Sequence, residues 1–167
     1  FADGVHVNVR LGEDKRLCLL VLIGVAENGE KHLLACEPGY RESKDSWAAV
    51  LSDLRDRGLT APVLAVGDGA LGFWAALRET RGFEVTREQR CWLHKMGNIL
   101  NDLPKRVQPR AKALLREMMY SETLSAANQA KEKFLAEFHQ KYPKAVSRLE
   151  KDWSELTSFF SLPALHW

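Results

Sequence analysis

Ten of the eleven glycines and eight of the eleven valines fall in residues 1–82, and beyond that point the chain is rich in Ala, Leu, Lys and Glu. No other feature constrains the fold as much. β-Branched residues fit pleated strands and glycines serve turns, whereas straight-chain residues and alanine favour helix. The first half therefore reads as strands and turns, and the second half as helices. At 167 residues the chain suits one domain with room for a subdomain, and is long enough to bury a core. Hydrophobic residues at 46% and charged residues at 28% exclude a disordered or collagenous chain. The longest apolar run, Leu17 to Val25, is interrupted by Gly24 and is far short of the ~20 residues that cross a bilayer. No signal-peptide pattern opens the chain. Its start without Met and its abrupt end lead us to expect a piece of a longer protein.

Along the first half the hydrophobic period is two. Phe1, Asp3, Val5, Val7, Val9 and Leu11 share one face of a strand, with Ala2, Gly4, His6, Asn8 and Arg10 on the other. A polar turn at Gly12-Glu13-Asp14-Lys15 leads into the apolar run to Ala26, and Asn28-Gly29 marks a hairpin into a third strand, Lys31 to Glu37. Ser43 caps a helix to about Arg57, with Trp47, Val50, Leu51 and Leu54 on its buried face. Val63 to Val66 is a fourth strand, followed by Gly67-Asp68-Gly69-Ala70 and a helix to about Glu79. Phe83 to Val85, extended as far as Cys91, is a fifth strand. This order predicts an α/β fold: a mixed five-stranded sheet with helices on both faces. Helices follow over 93–102, 104–119, 122–141 and from Pro143 onward, each with an apolar stripe that faces a core.

The formal net charge of +2 is too small to argue for nucleic acid, but its distribution is uneven. Residues 1–82 carry 10 basic and 12 acidic residues; residues 83–167 carry 14 and 10. From Arg87 to Arg116 eight basic residues face only Glu88 and Asp102. Such a stretch either meets phosphates or forms a solvated helix face. Cys18, Cys36 and Cys91 are odd in number and lack short spacing, so a reducing, intracellular setting fits better than a disulfide framework. Cys18 and Cys36 read as small buried hydrophobes.

Two aspartates stand out. Asp3 interrupts an otherwise apolar strand face, and Asp68 follows a buried strand between two glycines, where ligands of α/β sheets bind. If the first and fourth strands are neighbours, the two carboxylates stand close, and a magnesium or manganese ion between them relieves their repulsion. The alternatives are an ordinary strand-end residue and a plain Gly-Asp-Gly turn. In Arg90-Cys91-Trp92-Leu93-His94-Lys95, Cys91 and His94 have metal-ligand spacing but only half a zinc set; packing at a strand-to-helix junction is the simpler account of them.

Taken in order, Asp3, Asp68, Arg90-Cys91-x-x-His94, a helical stretch and Leu162-Pro163-x-x-x-His166-Trp167 resemble the Mutator-type transposases, in their bacterial insertion-sequence branch. Leu22-Ile23-Gly24-Val25, Arg57-Gly58-Leu59 and Lys141-Tyr142-Pro143-Lys144-Ala145 belong to the same resemblance, which runs over essentially the whole chain. It implies a ribonuclease-H-like core over residues 1–91 and an all-helical insertion over 92–167. It implies an Asp-Asp-Glu triad in which Asp3 and Asp68 are the catalytic, metal-binding aspartates. Cys91 and His94 match an active-site Cys-x-x-His motif. The family's Glu follows the His-Trp pair in an Asn-Pro-Leu/Ile-Glu segment that these 167 residues do not contain, so low activity of the fragment alone is expected.

The implied reaction is magnesium- or manganese-dependent strand cleavage and transfer at transposon ends. The implied partners are transposon and target DNA and further copies of the chain, with no membrane and a cytoplasmic, nucleoid-associated location. Arg90, Lys95, Lys105, Arg106, Arg110 and Lys112 are then candidate contacts to the DNA backbone. A non-catalytic DNA-contacting or self-association domain, and a ribonuclease-H-like nuclease unrelated to transposition, are the competing functions.

Overall fold

The computed structural model describes residues 1–9, 15–39, 42–69 and 71–163. The polar turn expected at 12–14, Ala70, and the closing His166 and Trp167 lie outside the described residues. The chain divides into two compact units, Phe1–Gln89 and Arg90–Leu165.

The first unit is built on a five-stranded sheet of order β3-β2-β1-β4-β5. Its strands are β1 (Ala2–Val9), β2 (Lys15–Val25), β3 (Lys31–Gly39), β4 (Leu64–Gly67) and β5 (Arg87–Arg90). The first three form the expected antiparallel meander, with a bulge where β2 passes from Leu22 to Ile23. β1 and β4 run parallel, with Ala2 opposite Gly67. The Arg87 N–H at the start of β5 donates to the Val63 carbonyl at the start of β4, so these two strands also run the same way.

Helices α1 (Lys44–Asp56) and α2 (Leu71–Glu79) connect β3 to β4 and β4 to β5. Ser43 is the α1 N-cap, its side chain accepting from the Ser46 N–H at 3.2 Å. Trp47, Val50, Leu51 and Leu54 of α1 pack with Phe73, Trp74 and Leu77 of α2 over Ala2, Leu20, Leu22, Ala35 and Ala65 of the sheet. Both helices therefore lie on one sheet face within this unit, which corrects the expectation of helices on both. The reason is topological. Both crossovers step in the same direction across the sheet, and right-handed crossovers of parallel strands then land on the same side.

A second correction follows. The face bearing Phe1, Asp3 and Val5 is exposed, and the helix-covered face is the Ala2–Gly4 side. Asp3 is thus a solvated strand residue and not a charge set into an apolar core face.

The fifth strand is also displaced. Residues 83–85 form turns, with Phe83 buried and Val85 exposed, and β5 begins at Arg87. Its residues, Arg87-Glu88-Gln89-Arg90, carry no apolar alternation because the strand lies at the sheet edge, where charged residues are favoured. Arg78 of α2 grips Glu88 there through both carboxylate oxygens.

The second unit contains α3 (Trp92–Asn101), α4 (Gln108–Met119), α5 (Leu124–Phe138), α6 (Pro143–Lys151), the short α7 (Trp153–Leu156) and a 3-10 turn, Ser158–Ser161. Ile99, Leu114, Leu115, Met118, Phe134, Val146, Leu149 and Leu156 are fully buried in its core. α4 starts at Gln108 and not at Pro104. Pro109 lacks an N–H and is tolerated in a first turn, whereas a helix begun at residue 104 would place it in the interior. Gln108 also turns its side-chain amide back to the Leu100 and Leu103 carbonyls, at 2.8 and 3.0 Å, where α3 ends without intrahelical donors. The helix expected from Pro143 onward breaks at Asp152 into α6 and α7. Among the described residues no helix is long and apolar enough to cross a membrane.

Asp102, at the C-cap of α3, joins this end to α6 through Arg148 and, at 3.0 Å, Lys144. The hydrogen bond from Arg148 holds the Asp102 carboxyl below the usual carboxylate range, against the opposing effect of its burial. A carboxyl whose folded value is depressed contributes stability above its unfolded value, about pH 4, and loses it as pH falls through the lower folded value. Asp102→Asn should therefore cost about 1.5–3 kcal/mol at neutral pH. It should also flatten the acid limb of the stability curve, as read by urea unfolding at stepped pH with circular dichroism.

Candidate active site

Asp3 stands one residue past Ala2 in β1, and Asp68 one residue past Gly67 at the end of β4. Because Ala2 and Gly67 are register partners on parallel strands, Asp3 and Asp68 are the next residues on two adjacent strands. Neighbouring strands lie about 4.8 Å apart. Asp3 is exposed and Asp68 half-buried, so water reaches this edge. The local sequence explains the placement. Leu64, Ala65 and Val66 make a short strand, and Gly67 lies against Trp74 and Phe73, where an added Cβ would come to 3.0 Å of the Trp74 ring. β4 thus ends tightly packed under α2 and delivers Asp68 just beyond the packed segment. Carboxylate oxygens are hard donors, of the kind that magnesium and manganese prefer over softer ligands.

Cys91 and His94 belong to the second unit. Cys91 is the α3 N-cap and its side chain makes no capping hydrogen bond; His94 is exposed on the first turn. Among the described residues neither joins a group of three or more metal-ligating side chains.

The six candidate phosphate contacts separate into two kinds. Lys95 is only 3% exposed, and its ammonium donates to Asp152 at 2.6 Å. Arg90 is also largely buried, with its Nε 3.3 Å from the same carboxylate oxygen. Burial pushes the Lys95 ammonium below the usual lysine range, and the Asp152 hydrogen bond and charge work in the other direction. These two cations build an internal network with Asp152, which sequence inspection did not single out. No local signal marks Asp152, since it lies 57 residues from Lys95 and reaches it only through packing of the helices. Lys105, Arg106, Arg110 and Lys112 are exposed, and Arg110 pairs with Glu137 of α5 at 2.9 Å. Arg116 is exposed on α4 as well, beside a shallow groove between α3 and α4 that Leu93 and Tyr120 flank.

Comparison with known sequences adds an independent finding. A family described as "Transposase, Mutator family" matches residues 1–167. The chain is 50% identical over 167 residues to the transposase for insertion sequence element IS6120 of Mycolicibacterium smegmatis, covering 100% of this chain and 51% of that protein. It is 54% identical over 157 residues to the transposase for insertion sequence element IST2 of Acidithiobacillus ferrooxidans, covering 93% of this chain and 52% of that one. A more distant relative is the transposase for insertion sequence element IS905 of Lactococcus lactis, 27% identical over 167 residues. The chain spans about half the length of the first two of these relatives.

Proposed function

Since the chain belongs to the Mutator family of transposases, we propose that it carries two of the three acids of a ribonuclease-H-like, metal-dependent DNA strand-transfer centre, Asp3 and Asp68. The observation that carries this reading is the parallel register of Ala2 with Gly67, which makes the two aspartates neighbours. The strand order β3-β2-β1-β4-β5, with one antiparallel meander joined to parallel strands, supports the ribonuclease-H-like assignment. The third acid of the triad would come from sequence outside these 167 residues. The whole protein would act in the cytoplasm, at the nucleoid, where its DNA substrates lie.

In this reading Asp3 and Asp68 would hold divalent magnesium or manganese, which would supply charge stabilisation to the reacting phosphodiester. The chain's own task is positioning. The pairing of Ala2 with Gly67 supports this, since it sets the backbone positions of the two aspartates side by side. Cys91 and His94, at the start of α3, would be the family's Cys-x-x-His motif.

The exposed Lys105, Arg106 and Lys112 of the second unit would meet the DNA backbone, since their charges are available at the surface. Arg90 and Lys95 would instead shape that surface from inside, because Asp152 engages both. Replacing Lys105, Arg106 or Lys112 by Ala in the full-length protein should weaken binding to all DNA sequences alike. Each lost contact should reduce the log–log salt slope by about 1. Fluorescence anisotropy at stepped salt measures this, and an unchanged slope in the triple variant would remove that surface from the interface.

The central test is cleavage and joining of DNA bearing the element's ends by the full-length protein with magnesium or manganese. Full activity in the Asp3→Asn or Asp68→Asn protein would rule the assignment out.

A further inference from the structure

We propose that His6, Cys18 and Glu42 form a second metal site, for one zinc-class divalent ion, on the helix-covered face of the sheet. Among the described residues these three side chains are a group whose ligand atoms all lie within 4.8 Å of one another. Three separate elements supply them. His6 of β1 is the direct register partner of Cys18 of β2, and Glu42 immediately precedes the Ser43 cap of α1. His6 Nδ1 is 3.8 Å from Glu42 Oε1. Ligand pairs around a tetrahedral zinc ion stand about 3.3–3.6 Å apart, given bond lengths of about 2.0–2.3 Å. Rotation of the exposed His6 and of Glu42 about their side-chain bonds is what must draw the group in from a spread of up to 4.8 Å.

The backbone leaves room for this convergence. The Glu42 side chain lies directly over Gly4, where an added Cβ would come within 2.2 Å of its carboxyl group. An added Cβ on Gly72, at the start of α2, would come within 2.3 Å of the Glu42 carbonyl oxygen. Two glycines from different elements thus allow Glu42 to reach across to the sheet. A side chain larger than hydrogen at position 4 would displace the carboxylate from His6 and Cys18.

The donor set identifies the ion. A thiolate, an imidazole and a carboxylate together select zinc or a similar transition ion over magnesium, which prefers oxygen ligands alone. Three protein ligands leave a fourth position, and His6, with a side chain 57% exposed, opens the site to solvent and to metal entry. Cys18 is 2% exposed, so its sulfur binds from the core side. Bound metal would cross-link β1, β2 and the segment leading into α1. This site is separate from the aspartate pair: His6 and Asp3 differ by an odd number of residues along β1 and so point to opposite faces.

Cobalt(II) is the probe, because a thiolate-to-cobalt charge-transfer band in the near ultraviolet reports cysteine ligation and cannot arise from Asp3 and Asp68. The purified chain should take up one cobalt with that band, and zinc should displace it. Cys18→Ser should abolish the band, while Cys36→Ser and Cys91→Ser should leave it. His6→Ala should weaken cobalt binding by more than the about 10–100-fold that loss of a supporting partner costs. Because Cys18 is buried, His6→Ala and Glu42→Gln decide the matter if Cys18→Ser does not fold. Absence of the band in the unaltered chain, a band that depends on Cys91, or unchanged affinity in both of those variants overturns the proposal.

Discussion

In the full-length transposase, Asp68→Asn is expected to lower metal-dependent cleavage and joining by about 10³-fold or more while leaving DNA binding intact. A metal held against a phosphodiester contributes several kcal/mol to transition-state charge stabilisation, and each 1.36 kcal/mol is tenfold in rate. Asparagine keeps the size and one oxygen of the side chain but removes the charge that, in the proposed reading, would hold the ion. Asp68 is half-buried just past a tightly packed strand, and asparagine matches it closely in size and shape. Asp3→Asn should behave the same way, because the parallel register puts both residues at one edge. Rates measured across magnesium and manganese concentrations separate lost metal affinity from lost chemistry: higher metal restores the first and not the second. An equal loss of DNA binding would instead assign both aspartates to structure.

The second large effect is expected from Asp152→Ala, and it is one of stability. Asp152 is the shared counter-ion of Lys95 and Arg90, both largely buried. Removing one partner of a buried pair leaves an uncompensated charge and costs about 3–5 kcal/mol. For a chain of this length that corresponds to a fall of about 6–20 °C in Tm. Lys95→Met in the same background should recover part of the loss, since it removes one stranded charge and keeps the volume.

The pH dependence has a defined sign. Burial already holds the Lys95 proton less tightly in the folded chain than in the unfolded one. Between that depressed value and the ordinary lysine range the unfolded state binds more protons, so stability rises with pH there. Asp152→Ala widens this window by taking away the groups that oppose the shift. The deficit relative to the unaltered chain should therefore be greatest near neutral pH and shrink as pH rises. Chemical denaturation of both proteins at stepped pH measures it, and a pH-independent deficit would exclude Lys95 as its source.

The meander, the cap at Ser43, the helical second half and the core stripes were legible because each depends on a period of two or 3.6 residues or on a local side-chain-to-backbone bond. Phe83 to Val85 misled for the same reason. The segment has strand-forming residues, but Phe83 is held by a turn against the core, and the edge strand that follows is polar. Alternation in β1 reveals two faces but not which one the helices cover. That choice depends on the direction of the crossovers.

The sequence by itself determined the element types, the division into a strand-rich and a helical half, and the family resemblance carried by the ordered positions of Asp3, Asp68, Cys91 and His94. All of these are properties of local pattern and order along the chain. Only the tertiary structure decided which charges meet. It made Asp3 and Asp68 neighbours through strand register, drew Lys95 and Arg90 inward to Asp152, and laid Glu42 over Gly4 beside His6 and Cys18. The physical reason is that an electrostatic or ligand contact depends on distance in space, and the residues that make these contacts are separated along the chain by spacings with no helical or strand period.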